Sequence, residues 1–163
     1  IVTGSSAQTR AADDYAIFEG GQPPWWNPNE GTIIADVTVY SPFATIALLA
    51  DPTRGSRGFL GIFVGLNKIG GEYQAEIQDG LSFGISSPSR TTLPDRLTIA
   101  SSFTQEEKRI SLKGEASIGS ANGSLPNADN LSLSTRGAPR TFFHSLRYIP
   151  RALPESMLNR ITS

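Results

Sequence analysis

The residues whose types and spacing come nearest to chemistry are Glu72, Gln74 and Glu76 in the stretch EYQAE. In an extended strand, alternate residues share one face, so both carboxylates would stand on the same side. Glycosidic bond cleavage needs two such groups, one to protonate the leaving oxygen and one to attack, and retaining enzymes hold them about 5 Å apart. A glutamine separates the pair here, so no third acid tunes the two carboxyls apart in pKa. A solvated strand face bearing Glu and Gln accounts for the pattern better than catalysis does, and a hydrolase using Glu72 and Glu76 is the weakest of the readings kept.

The rest of the chemical inventory is thin. His144 is the single histidine and cysteine is absent, so no His-based metal cluster, thiolate nucleophile or disulfide framework can be built. His144 is expected to be structural. Asn122, Asn127 and Asp129 in NGSLPNADN offer oxygen ligands for calcium, but their spacing matches no defined loop and a polar turn explains them as well. No catalytic residue, metal or cofactor is expected.

A binding surface is better supported. Trp25 and Trp26 are adjacent and are flanked by Gln22, Asn27 and Asn29. Aromatic faces stack on the C–H surface of a sugar while amides meet its hydroxyls, the usual combination of an apolar platform with a few orienting polar groups. Trp25, Trp26 and Asn27 are therefore candidate ligand-binding residues. Asp51, Arg54 and Arg57, on the turn-rich stretch DPTRGSRG, form a second candidate rim; a solvated hairpin is its competing explanation.

Composition limits the partners. The 163 residues carry 14 Lys plus Arg against 15 Asp plus Glu, a formal charge of −1, so no global field draws in nucleic acid or an anionic membrane. No apolar run is long enough for a membrane-spanning helix, and neither nucleic acid nor membrane insertion is expected. The charge is uneven. Residues 11 to 51 hold six acids and no Lys or Arg, whereas residues 136 to 163 hold five Arg and one Glu. An anion site would explain the Arg cluster, but pairing of the acidic and basic strands side by side in one sheet explains both runs.

These side chains must be positioned by strands. Ile33, Ala35, Val37 and Val39 share one face of TIIADVTVY, and Leu60, Ile62, Val64 and Leu66 share one face of FLGIFVGL. TIALLA from Thr45, YQAEIQ from Tyr73, LTIASSF from Leu97, RISLK from Arg109, LSLS from Leu131 and TFFHSLRYI from Thr141 read likewise. GGQPP, DPTRGSRG, SSPSR and GSANGSLPNADN read as turns. About eight short strands spaced near ten residues apart, punctuated by 16 Gly and 11 Pro, predict an all-β antiparallel sandwich. Helix is expected only in PESMLNRI, with Pro154 in the first turn and Met157, Leu158 and Ile161 forming an apolar stripe. Phe143 and Leu146 are out of phase with a two-residue period, which predicts a bulge at His144 to Ser145. Pro150 lacks an N–H and ends the ladder, and the tail is expected to fold back so that its three apolar side chains cover an open end of the sandwich. On this reading the ending closes a core and carries no chemistry.

TRAADDYAIFEG, WWNPNEGTIIADV, RLTIASSF with RISLKG, and FFHSLRYIPRALPESMLNRIT occur in the same order as in the concanavalin A-like (laminin-G-like) jelly-roll modules of bacteriophage tail and other virion proteins. The resemblance covers nearly the whole chain from Thr9. Phe143, Leu146, Arg147, Tyr148, Pro150, Arg151, Leu153 and Leu158 fill the positions of that family's closing segment, while SLKG departs from the Asn-Gly usual at its hairpin. Related modules carry an aromatic before the EGT strand, which implies that one of the two Trp is core. Some jelly-roll glycoside hydrolases resemble EYQAE but place Asp where Gln74 stands. The resemblance implies a concanavalin A-like jelly roll with residues 1–10 ending a linker from a preceding module and 11–163 forming one domain, the whole being a piece of something longer. It implies a non-catalytic virion module binding a host-surface glycan, neighboured by other virion protein segments and compatible with a homo-oligomer in the particle; the alternative is a structural spacer or decoration that binds only protein.

Overall fold

The computed structural model describes residues 15–18, 20–40, 43–50, 59–66, 72–78, 83–90, 95–112, 114–120, 130–133 and 141–163. Within them lie strands β1 Tyr15–Phe18, β2 Glu30–Val39, β3 Phe43–Ala50, β4 Phe59–Leu66, β5 Glu72–Gln78, β6 Phe83–Arg90, β7 Asp95–Thr104, β8 Glu107–Leu112, β9 Glu115–Ser120, β10 Asn130–Leu133 and β11 Thr141–Ile149, followed by helix α1 Glu155–Thr162. Every ladder is antiparallel. The strands form a six-stranded sheet, β1-β10-β3-β4-β5-β6, and a five-stranded sheet, β11-β2-β7-β8-β9. This is the two-layer antiparallel sandwich with one short C-terminal helix that the two-residue periods require. No helix among the described residues is long and apolar enough to cross a membrane.

The five-stranded sheet is buried on both faces at its centre. Ile33, Ala35, Val37 and Val39 of β2, with Leu97, Ile99 and Phe103 of β7 and Ile110 and Leu112 of β8, face inward and are at most 3% exposed. On the opposite face Ile34 and Ala100 are covered by Leu153 and Leu158 of the C-terminal segment, with Ile149 packed alongside. Only Leu158 of the expected apolar stripe is buried; Met157 and Ile161 are exposed. The tail therefore covers the outer face of a sheet and not an open end of the sandwich. Buried hydroxyls fix it there: the Ser111 hydroxyl lies 2.7 Å from that of Thr162 and donates to Asn159 Oδ1 at 3.0 Å, while the Gly114 N–H donates to Thr162 Oγ1 at 3.1 Å. Gly114 has φ +77°, the left-handed conformation that glycine adopts at no steric cost.

Other expectations meet the structure unevenly. The register of β11 on β2 shifts between Phe143 and Ser145, as the broken phase predicts, and the strand ends at Ile149, before Pro150. SSPSR belongs to β6 instead of forming a turn. Its pairing with β5 is irregular beside Pro88, whose missing N–H cannot join a ladder. Strands β1, β6 and β9 were not anticipated, being short or poor in branched apolar residues. The acidic and basic segments are neighbours, since β11 pairs with β2, but Asp36 of β2 is neutralised from the other side: Arg96 of β7 donates to its carboxylate twice, at 3.0 and 2.7 Å. The 1–10 linker and the Lys113 position of SLKG lie outside the described residues.

Candidate functional site

The loop before β2 is built to turn one tryptophan in and the other out. Gly20 and Gly21 take positive φ values of 77° and 147°, and the Trp26 N–H then donates to the Pro23 carbonyl at 2.9 Å, closing a β-turn with Pro24 at its second position. Trp26 is 8% exposed and Trp25 48%. The Asn27 side chain continues the work: its Oδ1 accepts from the Asn29 N–H at 3.0 Å, a local turn bridging Pro28, and its amide donates to the Pro150 carbonyl at 3.0 Å. One of the two tryptophans is thus core, as the resemblance implies, and Asn27 is a structural tie between two ends of the fold.

Under the loop lies an aromatic stack. The Trp26 ring stacks on Tyr148 of β11 with centroids 4.5 Å apart and planes at 20°, and on Phe103 of β7 at 6.0 Å and 29°. Trp25 stands across this stack, 5.7 Å from Tyr148 at 57° and 6.4 Å from Trp26 at 76°. Gly31 makes the packing possible. A Cβ there would meet Phe103 Cζ at 2.7 Å, Tyr148 Cε2 at 2.8 Å and the Tyr148 hydroxyl at 3.1 Å, so the rings occupy the space a side chain would take.

The polar groups around the stack are committed. The Asn27 N–H donates to the Tyr148 hydroxyl at 2.9 Å, Glu30 Oε2 accepts from the Ala152 N–H at 2.9 Å, and Thr32 Oγ1 donates to the Arg151 carbonyl at 2.8 Å while accepting from the Leu153 N–H at 3.0 Å. Burial pushes the Tyr148 phenol above its ordinary pKa of 10.0, opposed by the Asn27 hydrogen bond and assisted by the Glu30 charge. Among the described residues this is a packed aromatic corner with Trp25 exposed at its edge.

The structure brings Trp25, Trp26 and Asn27 onto one loop beside Tyr148, Phe103 and Gly31, which the sequence analysis did not single out as site residues. Tyr148, in the closing segment, forms one side of this aromatic corner. Asp51, Arg54 and Arg57 lie outside the described residues, as do Asn122, Asn127 and Asp129. Strand β5 forms over Glu72–Gln78, but the carboxylate arrangement of Glu72 and Glu76 is likewise outside them. His144 bonds Thr38 Oγ1 through Nε2 at 2.8 Å and sits edge-on to Phe142 at 5.0 Å, both on the exposed side of β11. No group of three metal-binding side chains occurs among the described residues.

Solved structures share this architecture. The chain is similar to the CBM40 of Ruminococcus gnavus IT-sialidase bound to α2,3-sialyllactose, with 15% identity and TM-score 0.60 over 84% of each chain. It is similar to the heptameric SAP-like pentraxin of Limulus polyphemus, with 12% identity and TM-score 0.64 over 93% of this chain and 82% of that one. A third likeness is to domains LG4-5 of the mouse laminin α1 chain, with 9% identity and TM-score 0.59 over 87% of this chain and 40% of that one. The fold is that of concanavalin A-like jelly-roll domains. No protein-family model and no curated protein sequence matches the chain.

Proposed function

We propose that the chain is a non-catalytic glycan-binding module whose contact surface is the open face of Trp25. The observation that carries this reading is the contrast within the tryptophan pair: Trp26 is spent on the stack, while Trp25 is held beside Tyr148 with 48% of its surface exposed. An indole that the fold leaves open but oriented loses little freedom on stacking against a sugar. The likeness to a sialidase CBM40 bound to sialyllactose supports the same reading through the fold. The absence of a catalytic role rests on the inventory of one histidine, no cysteine and a carboxylate pair with Gln74 between them.

The setting we propose is a bacteriophage tail or fibre, where the module attaches the particle to a host-surface glycan. The ordered sequence segments from TRAAD to the closing LRYIPRALPESML support it. Weak sites repeated on one particle would then act together through effective concentration. A glycan array probed with the multivalently displayed chain, beside its Trp25→Ala variant, tests the reading: binding lost in the variant supports it, and no binding by either form removes it.

A protein-binding spacer is the second reading, favoured by Tyr40 and Phe142. These are 51% and 59% exposed at the opposite end of the outer sheet face. Retention on other virion segments without any glycan affinity would favour it.

A further inference from the structure

We infer that the docking of α1 sets the geometry of the aromatic corner, so that helix attachment and glycan affinity are coupled through the segment Pro150–Leu153; the affinity half of this statement rests on the glycan-binding reading above. The segment has no slack. Tyr148, against which Trp25 stands at 5.7 Å, stacks on Trp26 and accepts the Asn27 N–H, and Ile149 packs on the cluster beneath the helix. The Pro150 carbonyl then accepts from the Asn27 amide and the Arg151 carbonyl from the Thr32 hydroxyl, while the Ala152 N–H donates to the Glu30 carboxylate and the Leu153 N–H to Thr32 Oγ1. Each of the three peptide units between Pro150 and Leu153 is thus tied to the tryptophan loop or to the start of β2.

The helix follows without a spacer. Pro154 is its N-cap, and the Pro154 carbonyl accepts from the N–H groups of Met157 and Leu158. At one end of the buried face Leu153 and Leu158 sit on Ile34 and Ala100; at the other, Thr162 Oγ1 lies 2.7 Å from the Ser111 hydroxyl and accepts the Gly114 N–H at 3.1 Å. Lifting α1 from the sheet draws on Leu153. Planar peptides stretch little, so the displacement reaches Pro150 by breaking the bonds in between, and the next tie is Asn27 beside Tyr148. Coupling of this kind is reciprocal: whatever favours the ordered corner favours the docked helix by the same factor.

The test loosens the helix where it cannot touch the corner. Thr162→Val keeps the side chain's shape but removes the oxygen that meets Ser111 and Gly114, about 12 Å along the helix axis from the strap. Hydrogen exchange of the α1 amides, the near-ultraviolet circular dichroism of the corner, and Kd for α2,3-sialyllactose, lactose and chitotriose are compared in the full native chain, Thr162→Val, Thr162→Ser, Asn27→Ala and Leu97→Val. Leu97 is a core residue six positions along β7 from Phe103. In Thr162→Val, helix exchange is expected to quicken by about fivefold or more, the aromatic spectrum to change, and Kd for any sugar that binds to weaken by about fivefold. Thr162→Ser restores the hydroxyl and all three readouts, Asn27→Ala quickens helix exchange from the other end, and Leu97→Val leaves the spectrum and Kd at native values. Quickened helix exchange in Thr162→Val with a native spectrum and Kd, or native helix exchange in Asn27→Ala, would overturn the coupling while leaving glycan binding intact. No binding of these sugars or on the array by any form, with spectrum and helix exchange still moving together, removes the glycan reading and supports the coupling.

Discussion

Tyr148 and Gly31 stand on adjacent strands, and the Tyr148 ring occupies the place where a Gly31 side chain would begin: a Cβ there would lie 2.8 Å from Cε2. The close approach makes Gly31 a determinant of the aromatic corner although it bears no side chain. Gly31→Ala should cost about 1–3 kcal/mol, since Phe103 and Tyr148 must both move in a packed layer. Thermal denaturation and near-ultraviolet circular dichroism check this; an unchanged aromatic spectrum would mean that the stack does not depend on the glycine.

The C-terminal helix gives a sharper test than deletion of the tail. Leu158 is fully buried against Ile34, Ala100 and Leu153, whereas Met157 next to it is 49% exposed. Leu158→Ala should lose about 2–5 kcal/mol, and Met157→Ala about 0.5 kcal/mol or less. Denaturant titration of the two variants distinguishes them, and equal losses would contradict the helix orientation.

The Asp36–Arg96 pair should leave a mark on the acid limb of stability. The Arg96 hydrogen bond holds the Asp36 carboxyl below its ordinary pKa of 3.8 against the opposing effect of burial, with lesser help from the Arg96 and His144 charges. A depressed folded-state pKa gives a contribution that is full above the unfolded value and is lost as pH falls through the folded one. Both groups are partly open to water, so the effect is small and weakened by salt. The melting-temperature difference between the native chain and Asp36→Asn should be constant from neutral pH to about 5 and vanish toward pH ~2. A difference that persists at the acid end would assign the effect to something other than the charge.

Tyr148 supplies the alkaline counterpart. Its raised phenol pKa means that its contribution is full below the ordinary value of 10.0 and is lost as pH rises through the folded value. Ultraviolet titration should show the Tyr148 phenol ionising later than a free phenol, and that step should be missing in Tyr148→Phe. A late step that survives the substitution would belong to another tyrosine.

The fold was legible because its inward faces repeat every second residue. The run Ile33, Ala35, Val37, Val39 buries one face of its strand, and the phase break after Phe143 located the bulge to His144 and Ser145. The helix was legible as an element but not in its docking. Met157, Leu158 and Ile161 all fit a helical stripe, and only the sheet beneath selects Leu158. The tryptophan loop was legible as a turn carrying adjacent aromatics, because Pro-Pro-Trp-Trp-Asn-Pro-Asn breaks the two-residue period before β2. Tyr148 was not, since in sequence it is one more alternating residue of a strand more than a hundred residues away, and Gly31 shows no signal until the rings over it are seen. Register pairs Gly31 with Phe103 and Ile33 with Tyr148, and register is a property of the whole sheet.

The two tryptophans should separate stability from binding. Trp26 is buried between Tyr148 and Phe103, so Trp26→Ala should destabilise the fold by about 3–5 kcal/mol and remove binding only by loosening the site. Trp25 is half exposed and contributes ring contacts with Tyr148 and Trp26, so Trp25→Ala should cost about 1 kcal/mol or less in stability. Its effect on glycan binding should nonetheless be large, because the exposed indole of the proposed contact surface disappears. A lone module should bind in the millimolar to high micromolar range, as one stacked ring gains little after ordering costs, and display of many copies should raise the apparent affinity without new contacts. Calorimetry of single modules and surface binding of displayed ones measure the two regimes. Full retention of glycan binding in Trp25→Ala, with the fold intact, would move the site elsewhere on the molecule.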